Sequence, residues 1–280
     1  MCVLDNLSVG EASSLPTDPR VRLVVGNVTD QESVAESLRG CSFVFHLAAP
    51  TDVRNALQDP HMDIDQGTLG TQQVLEGCRK AGIRRLMFAS SSCVYGNGLT
   101  KPLTEDQGPL LPVSVYGASK LAAEALISAY CHTFGMQSWI YRFPNVVGPE
   151  LTHGVVRDFV MKLKADSKRL PVFGDGRQTK TYLWVADCVD GILRLMELMT
   201  DTVNVANVTT SGSTSVNEIA SIVIQEMGLA DVKIEHTGGS VGWPGDVPFV
   251  LLDGERAKRC GWEASYASSD SIRMAVRELI

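Results

Sequence analysis

Tyr116 and Lys120 have the spacing for proton chemistry. They stand four residues apart in Y-G-A-S-K, at the head of an amphipathic run, K-L-A-A-E-A-L-I-S-A-Y, that ends near Gly135. Positions i and i+4 share one face of a helix, so the phenol and the ammonium can look into the same cleft. A cation beside a phenol favours the phenolate and lowers a pKa that is otherwise about 10, which suits proton abstraction near neutrality. On spacing alone, a surface tyrosine beside a solvated lysine is the commoner arrangement. Of the six tyrosines, however, only Tyr116 has a lysine four residues on.

The elements that must position this pair can be read from periodicity. V-R-L-V-V (21–25) predicts a strand, and T-D-Q-E (29–32) a capping box in which Thr29 opens a helix with Glu32 at N3, the helix closing at Gly40. F-V-F-H-L-A-A (43–49) reads as a second buried strand, 62–81 as a helix stopped by Gly82, and R-L-M-F-A-S-S (85–91) as the next strand. The Tyr116 helix follows, then the strand S-W-I-Y-R-F (138–143). Strands alternating with helices of this length imply parallel βαβ units in a doubly wound α/β sheet.

Beyond Asn145 the rhythm loosens. Residues 146–149 read as a loop, 155–163 as a helix, F-G-D-G-R-Q (173–178) as a glycine turn, and Y-L-W-V (182–185) as the entry to a helix through Met199. S-V-N-E (215–218) is a second capping box, on a helix ending at Gly228. Short strands at 232–236 and 249–252 and helices near 254–260 and 269–279 complete the chain. The division expected is a dinucleotide-binding domain over 1–150 and a smaller α/β substrate lobe over 151–280, partly interleaved with it. That lobe would close over the carboxyl ends of the strands, where open α/β sheets bind ligands.

Composition removes several function classes. A net charge of -7 argues against binding a phosphate backbone, and the pairs Arg84-Arg85 and Lys168-Arg169 are too short to change that. Seven cysteines, odd in number and scattered, with no C-x-x-C, read as reduced thiols of a cytoplasmic protein and not as a zinc site; no metal is expected. No apolar run approaches the length of a membrane span, and no signal peptide is visible.

The first residues, M-C-V-L-D-N, read as the tail of a strand closed by an acidic residue. In a dinucleotide fold an acid at the end of the second strand accepts hydrogen bonds from the adenosine ribose, and the charge of Asp5 there would favour NAD over NADP. The fingerprint G-x-G-x-x-G, with its own strand, should lie upstream; it is absent, so the expected sheet is a Rossmann-like order 3-2-1-4-5-6 with the first strand missing.

Seven motifs now stand in one order: D-N-L (5–7), G-N-V-T-D (26–30), H-L-A-A (46–49), S-S-S-C-V-Y-G (90–96), Y-G-A-S-K (116–120), R-F-P-N-V-V-G-P (142–149) and G-D-G-R-Q-T-K (174–180). Together they resemble the extended short-chain dehydrogenase/reductase family, and within it the nucleotide-sugar epimerases of the UDP-glucose 4-epimerase kind. The resemblance implies NAD as a bound cofactor, a UDP-sugar as substrate, and a homodimer formed through the Tyr116 helix and the helix at 62–81. It implies that Asp5 and Asn6 hold the adenosine ribose, that Asn27 and Val28 flank the adenine, and that Leu47, Ala48 and Ala49 line the dinucleotide. Ser91, with Ser90 and Ser92 as rivals one position away, would hydrogen-bond the reacting hydroxyl beside Tyr116 and Lys120. Asn145 and Phe173 would contact sugar and uracil, and Lys180 a phosphate; a solvated Lys180 fits its sequence context equally well.

The positions after Ser91 also bear on reaction type. Relatives that dehydrate a nucleotide sugar place Asp-Glu there, because eliminating water needs an acid and a base, and decarboxylases resemble S-E-V-Y-G. Here stand Ser92 and Cys93, which leaves reversible hydride transfer: a 4-epimerase on UDP-hexose or UDP-hexuronate, a nucleotide-sugar reductase, or an inactive binding relative. Departures from the resemblance are Gly67 where Asn is usual, and Trp243 and Lys180 where Arg is usual.

Overall fold

The chain folds as two units. The first unit comprises Met1–Ser90, Val115–Ile140 and Asp201–Asn204, and the second Ser91–Ser114, Tyr141–Thr200 and Val205–Ile280. The computed structural model describes residues 1–50, 57–97, 101–239, 242 and 245–280; Trp243 falls outside these.

In the first unit β1 (Cys2–Asp5) pairs in parallel with β2 (Arg22–Val25), Asp5 opposite Val25. Helix α1 (Gln31–Ser37) follows, but its cap is Asp30 and not Thr29. The Asp30 carboxylate accepts the Ser33 amide at 2.9 Å, whereas the Thr29 amide and hydroxyl both donate to Asn27 Oδ1 at 3.0 Å. An ionised acceptor one residue later displaces the hydroxyl, because charge-assisted hydrogen bonds are the stronger. The helix ends three residues short of Gly40, which closes the following turn at φ +75°.

Strand β3 (Val44–His46) pairs in parallel with β4 (Arg85–Ser91), Val44 opposite Leu86. With β5 (Gln137–Phe143) and β10 (Val203–Asn207) they form a four-stranded sheet ordered β10-β5-β4-β3. The orders β2-β1 and β3-β4-β5-β10 are those expected on either side of the first position of a doubly wound sheet. Among the described residues no strand joins β1 to β3. The buried strand expected over 43–49 is regular only at β3. Phe45 and Leu47 are 48% and 59% exposed, and β3 is an edge of its sheet.

The single helix expected over 62–81 is three segments: α2 (Pro60–Met62), a π-helical stretch (Asp63–Leu69) and α3 (Gly70–Ala81), stopped by Gly82 at φ +74°. Helix α4 (Val115–Phe134) packs against the π-helical stretch. Gly67 permits this approach: a Cβ there would lie 2.6 Å from Ser119 Oγ. Leu75, Cys78, Leu86, Phe88 and Ile127 are at most 1% exposed and make the core of this unit; burying each of the larger side chains contributes about 1.5–3 kcal/mol.

In the second unit β6 (Asn145–Val147) pairs in parallel with β9 (Tyr182–Trp184), so the loop expected at 146–149 begins as a strand. Val146 and Val147 lie opposite Leu183 and Trp184, and β-branched residues suit such pairing. β7 (Arg169–Val172) pairs with β12 (Lys233–His236), and β8 (Thr179–Lys180) lies between β11 (Thr214–Ser215) and β13 (Phe249–Val250). Helices α5 (Val155–Ala165), α6 (Val185–Leu198), α7 (Val216–Glu226), α8 (Glu255–Arg259) and α9 (Ser268–Leu279) surround these strands in the chain. Both halves of the capping box on α7 form, between Ser215 and Glu218. The core gathers Phe159, Val160, Leu163, Ile219, Val223 and Ile272.

Candidate active site

Helix α4 buries Gly117, Lys120, Glu124, Ile127 and Cys131. Their spacing of three and four residues makes one seam, and two of its members are ionisable. A buried charge needs partners, and the end of β4 supplies them. Lys120 is 3% exposed; its ammonium donates to the Ala89 carbonyl at 2.7 Å and lies 4.7 Å from the centre of the Phe88 ring. The Ser90 hydroxyl donates to the Glu124 carboxylate in a short hydrogen bond. The Tyr116 ring is half-buried one turn earlier, its centre 5.8 Å from the Lys120 ammonium. The pair picked out by spacing therefore shares one face, and its lysine is enclosed and not solvated.

Two further ionisable groups sense this ammonium, and the sequence reading gave neither a role. His46, at the end of β3, is 3% exposed, and its Nε2 lies 2.9 Å from Thr71 Oγ1. Thr71 has a single hydroxyl proton and donates it to the Gly67 carbonyl, so it accepts from His46, whose Nε2 carries the ring proton. Burial, and secondarily the Lys120 cation, hold the imidazole pKa down at about 3. Asp63, first residue of the π-helical stretch, is 2% exposed, and its Oδ2 has no hydrogen-bond partner. Burial raises the Asp63 pKa, and Lys120 opposes that shift. His46 opens the H-L-A-A motif but was given no role there, and Asp63 lies in no motif; burial of an acid or an imidazole is set by tertiary packing.

The residues expected to hold the dinucleotide lie at the carboxyl ends of parallel strands, where such folds bind it. Asp5 ends β1 and is exposed; one of its oxygens accepts the Leu7 amide at 2.7 Å. Asn6 is exposed too and accepts the Ser8 amide at 3.1 Å. Beyond β2, Asn27 is half-buried and holds Thr29, while Val28 is buried, facing Gly70 so closely that a Cβ on that glycine would meet it at 2.7 Å. After β3 come Leu47, exposed, and Ala48 and Ala49, half-buried. Reachable carboxylate at one strand end and uncovered apolar and small side chains at another are the chemistry that ribose and adenine require, so these residues fit NAD.

In the second unit Ser91 is half-buried and accepts the Cys93 amide at 3.2 Å. Ser90, already committed to Glu124, is thereby the weaker claimant to the reacting hydroxyl. Lys180 is not a solvated surface lysine: it donates to Asp246 at 2.7 Å, and the Asp246 side chain is only 3% exposed. Asn145 is exposed on β6. Phe173 is 53% exposed, the Lys162 ammonium standing 4.7 Å from its ring centre. The Phe173 backbone enters the expected turn, in which Gly174 and Gly176 both take φ +76°.

Among the described residues no group of histidines, cysteines and carboxylates could hold a metal ion, and all seven cysteines are free thiols. Among them also no helix is long and apolar enough to cross a membrane.

The profile of the NAD dependent epimerase/dehydratase family matches residues 1–208. The UDP-glucose 4-epimerase of Mycolicibacterium smegmatis is 30% identical over 285 residues, which span 98% of this chain and 88% of that protein. Among solved structures, a UDP-galactose 4-epimerase superposes with a TM-score of 0.87 at 33% identity, covering 99% of this chain and 89% of the other. The UDP-glucose 4-epimerase of Thermus thermophilus, solved in complex with NAD, superposes with a TM-score of 0.89 at 26% identity, covering 99% and 90%.

Proposed function

The chain belongs to the NAD dependent epimerase/dehydratase family, an NAD-using family of nucleotide-sugar enzymes, and from that premise we propose that it is a 4-epimerase of a UDP-hexose or UDP-hexuronate. The observation that carries the reading is the enclosed Lys120 ammonium, anchored on the Ala89 carbonyl and 5.8 Å from the centre of the Tyr116 ring. A fixed cation at that range favours the phenolate.

Tyr116 then takes the proton of the sugar 4-hydroxyl and returns it when the configuration at C4 has been reversed. Asp5, Asn6, Asn27, Val28 and the Leu47–Ala49 segment would hold NAD, which when bound would supply a reversible hydride acceptor for C4. Ser91 steadies the reacting oxygen through its hydroxyl, and the Lys120 ammonium stabilises the phenolate before the first proton transfer and after the second. Asn145, Phe173 and Lys180 bind the nucleotide sugar; Lys180 enters that role already neutralised by Asp246, and so orients a diphosphate more than it attracts one. The absence of a carboxylic acid at Ser92 and Cys93 supports hydride return over elimination. A cytoplasmic homodimer joined through α4 and α3 is part of the same reading; Met62, Ile64 and Leu69 beside α3 are each 39–50% exposed.

The test is to supply UDP-glucose, UDP-galactose and the two UDP-hexuronates in turn with NAD and follow C4 by proton NMR. Interconversion to a constant ratio, with no net NADH, is expected, together with a loss of several orders of magnitude in Tyr116→Phe. Stoichiometric formation of NADH, or near-normal turnover in Tyr116→Phe, would refute it.

A further inference from the structure

We propose that Asp63 is a positioning residue of the Tyr116–Lys120 pair: its carboxylate shares the Lys120 ammonium with the phenol and so sets how acidic that phenol is. The proposal deepens the epimerase reading and rests on it for its functional meaning.

Three observations carry it. First, Asp63 is 2% exposed with Oδ2 unpartnered, a costly state for a buried polar group unless something nearby repays it. Second, the Lys120 cation is the charge among the described residues that opposes the effect of burial on Asp63. Third, the segment bearing Asp63 is pressed onto the helix that bears Lys120. Gly67 meets Ser119 without room for a Cβ, and the Thr68 hydroxyl reaches the Ser119 carbonyl at 3.5 Å. The segment is π-helical over Asp63–Leu69, and π-helical turns are frequent at functional sites. The wider turn is held by Thr71, which binds the Gly67 carbonyl and receives His46.

The other ionisable groups around this point leave Asp63 as the adjustable one. His46 on β3 is held neutral. On α4, Glu124 is occupied by Ser90 and Tyr116 is the group being tuned. Asp65, on the same π-helical stretch, is exposed. An anionic Asp63 draws on the field of Lys120 in two ways: it stabilises the protonated amine, and it weakens the pull of that amine on the phenol. It therefore places the Tyr116 titration higher than Lys120 alone would place it, and the Lys120 titration higher as well.

The experiment is a spectrophotometric titration of tyrosinate in the purified chain without sugar, each protein being compared with its own Tyr116→Phe counterpart to isolate Tyr116. In Asp63→Asn the Tyr116 pKa should fall by about half a unit to one unit, and Asp63→Glu should return it toward the wild-type value. In a Lys120→Met background the effect of Asp63→Asn should shrink by at least half. Circular dichroism melting checks each fold, and Asp63→Ser replaces Asp63→Asn should the latter not fold. No fall in the Tyr116 pKa, or a fall that persists undiminished without Lys120, overturns the proposal. Because the titration needs no turnover, it stands or fails separately from the epimerase assay. Where turnover is present, both limbs of the pH–rate profile should move to lower pH in Asp63→Asn, a shift that a purely structural residue would not cause.

Discussion

His46→Gln tests the electrostatics of the buried pocket without reference to catalysis. In the native state the imidazole is neutral, with its pKa held at about 3 by burial and by Lys120; in the unfolded chain it returns to about 6.5. A base whose native pKa is depressed contributes fully above its unfolded pKa. Below about pH 6.5 the unfolded chain binds a proton that the native state refuses, so stability falls with pH until native His46 itself titrates. Each unit of pH in that window costs about 1.4 kcal/mol, and between pH 7.5 and pH 4.5 the loss attributable to His46 is about 2.7 kcal/mol. The value depends little on where the native pKa lies, provided it stays below about 4, because the unfolded group sets the upper end of the window. The assay is urea unfolding of wild type and His46→Gln at the two pH values. Glutamine can offer an amide N–H to Thr71 and does not titrate. The wild type should lose about 2.7 kcal/mol more than the variant on going to pH 4.5, the carboxylates common to both proteins cancelling. Equal losses would mean that His46 is hydrated or protonated in the native state, and the description of the pocket around Lys120 would fall with it.

Three other perturbations follow from local geometry. Gly96 takes φ +74°, and a Cβ there would stand 1.9 Å from the Leu111 carbonyl oxygen; Gly96→Ala should cost about 3 kcal/mol or more in thermal unfolding, and an unchanged melting temperature would contradict the turn. Lys180→Ala strands the buried Asp246 carboxylate and should destabilise the chain by about 3 kcal/mol in urea, with a much smaller loss when Asp246→Asn accompanies it. Ser215→Ala breaks the capping box of α7 and should cost about 1 kcal/mol; no change would mean that Glu218 alone satisfies the helix end.

How much of this was legible before the structure depended on whether a feature is local. The Ser215–Glu218 box was readable because both halves lie within four residues and no better acceptor stands beside them. The box expected at Thr29 failed because Asp30, one residue on, is a stronger acceptor. A four-residue window containing two caps does not say which will be used. The Tyr116–Lys120 helix was readable because its stripe is long, running from Gly117 to Cys131. The π-helical stretch before α3 was not, since seven residues carry too few apolar positions to separate a wider turn from a 3.6-residue one. β6 was lost for the complementary reason: a three-residue strand is defined by its partner, here Tyr182–Trp184, and not by its own pattern. His46 and Asp63 were invisible as site residues because their importance is their burial beside Lys120, which joins β3, the π-helical stretch and α4 across wide separations in sequence.

The seam of α4 is where stability and function part. A lysine and a glutamate occupy positions that leucine would fill with a gain in burial, and the end of β4 gives each a hydrogen-bond partner, the Ala89 carbonyl for Lys120 and the Ser90 hydroxyl for Glu124. Replacing a buried ion pair with neutral side chains of similar volume is often neutral or stabilising by about 1–4 kcal/mol, whereas removing one member leaves the other uncompensated. Lys120→Met should therefore destabilise the chain at neutral pH, where Asp63 loses its counter-charge, and less so in mild acid, where Asp63 with its raised pKa takes up a proton. Lys120→Met combined with Asp63→Asn should recover that loss and exceed wild type in a urea midpoint, while epimerisation is abolished. A double variant that is inactive but more stable would show that the fold bears the charged pair for its chemistry. A double variant less stable than Lys120→Met alone would show instead that the pair is held for packing, since nothing would then separate the ammonium from any other buried polar group in the core.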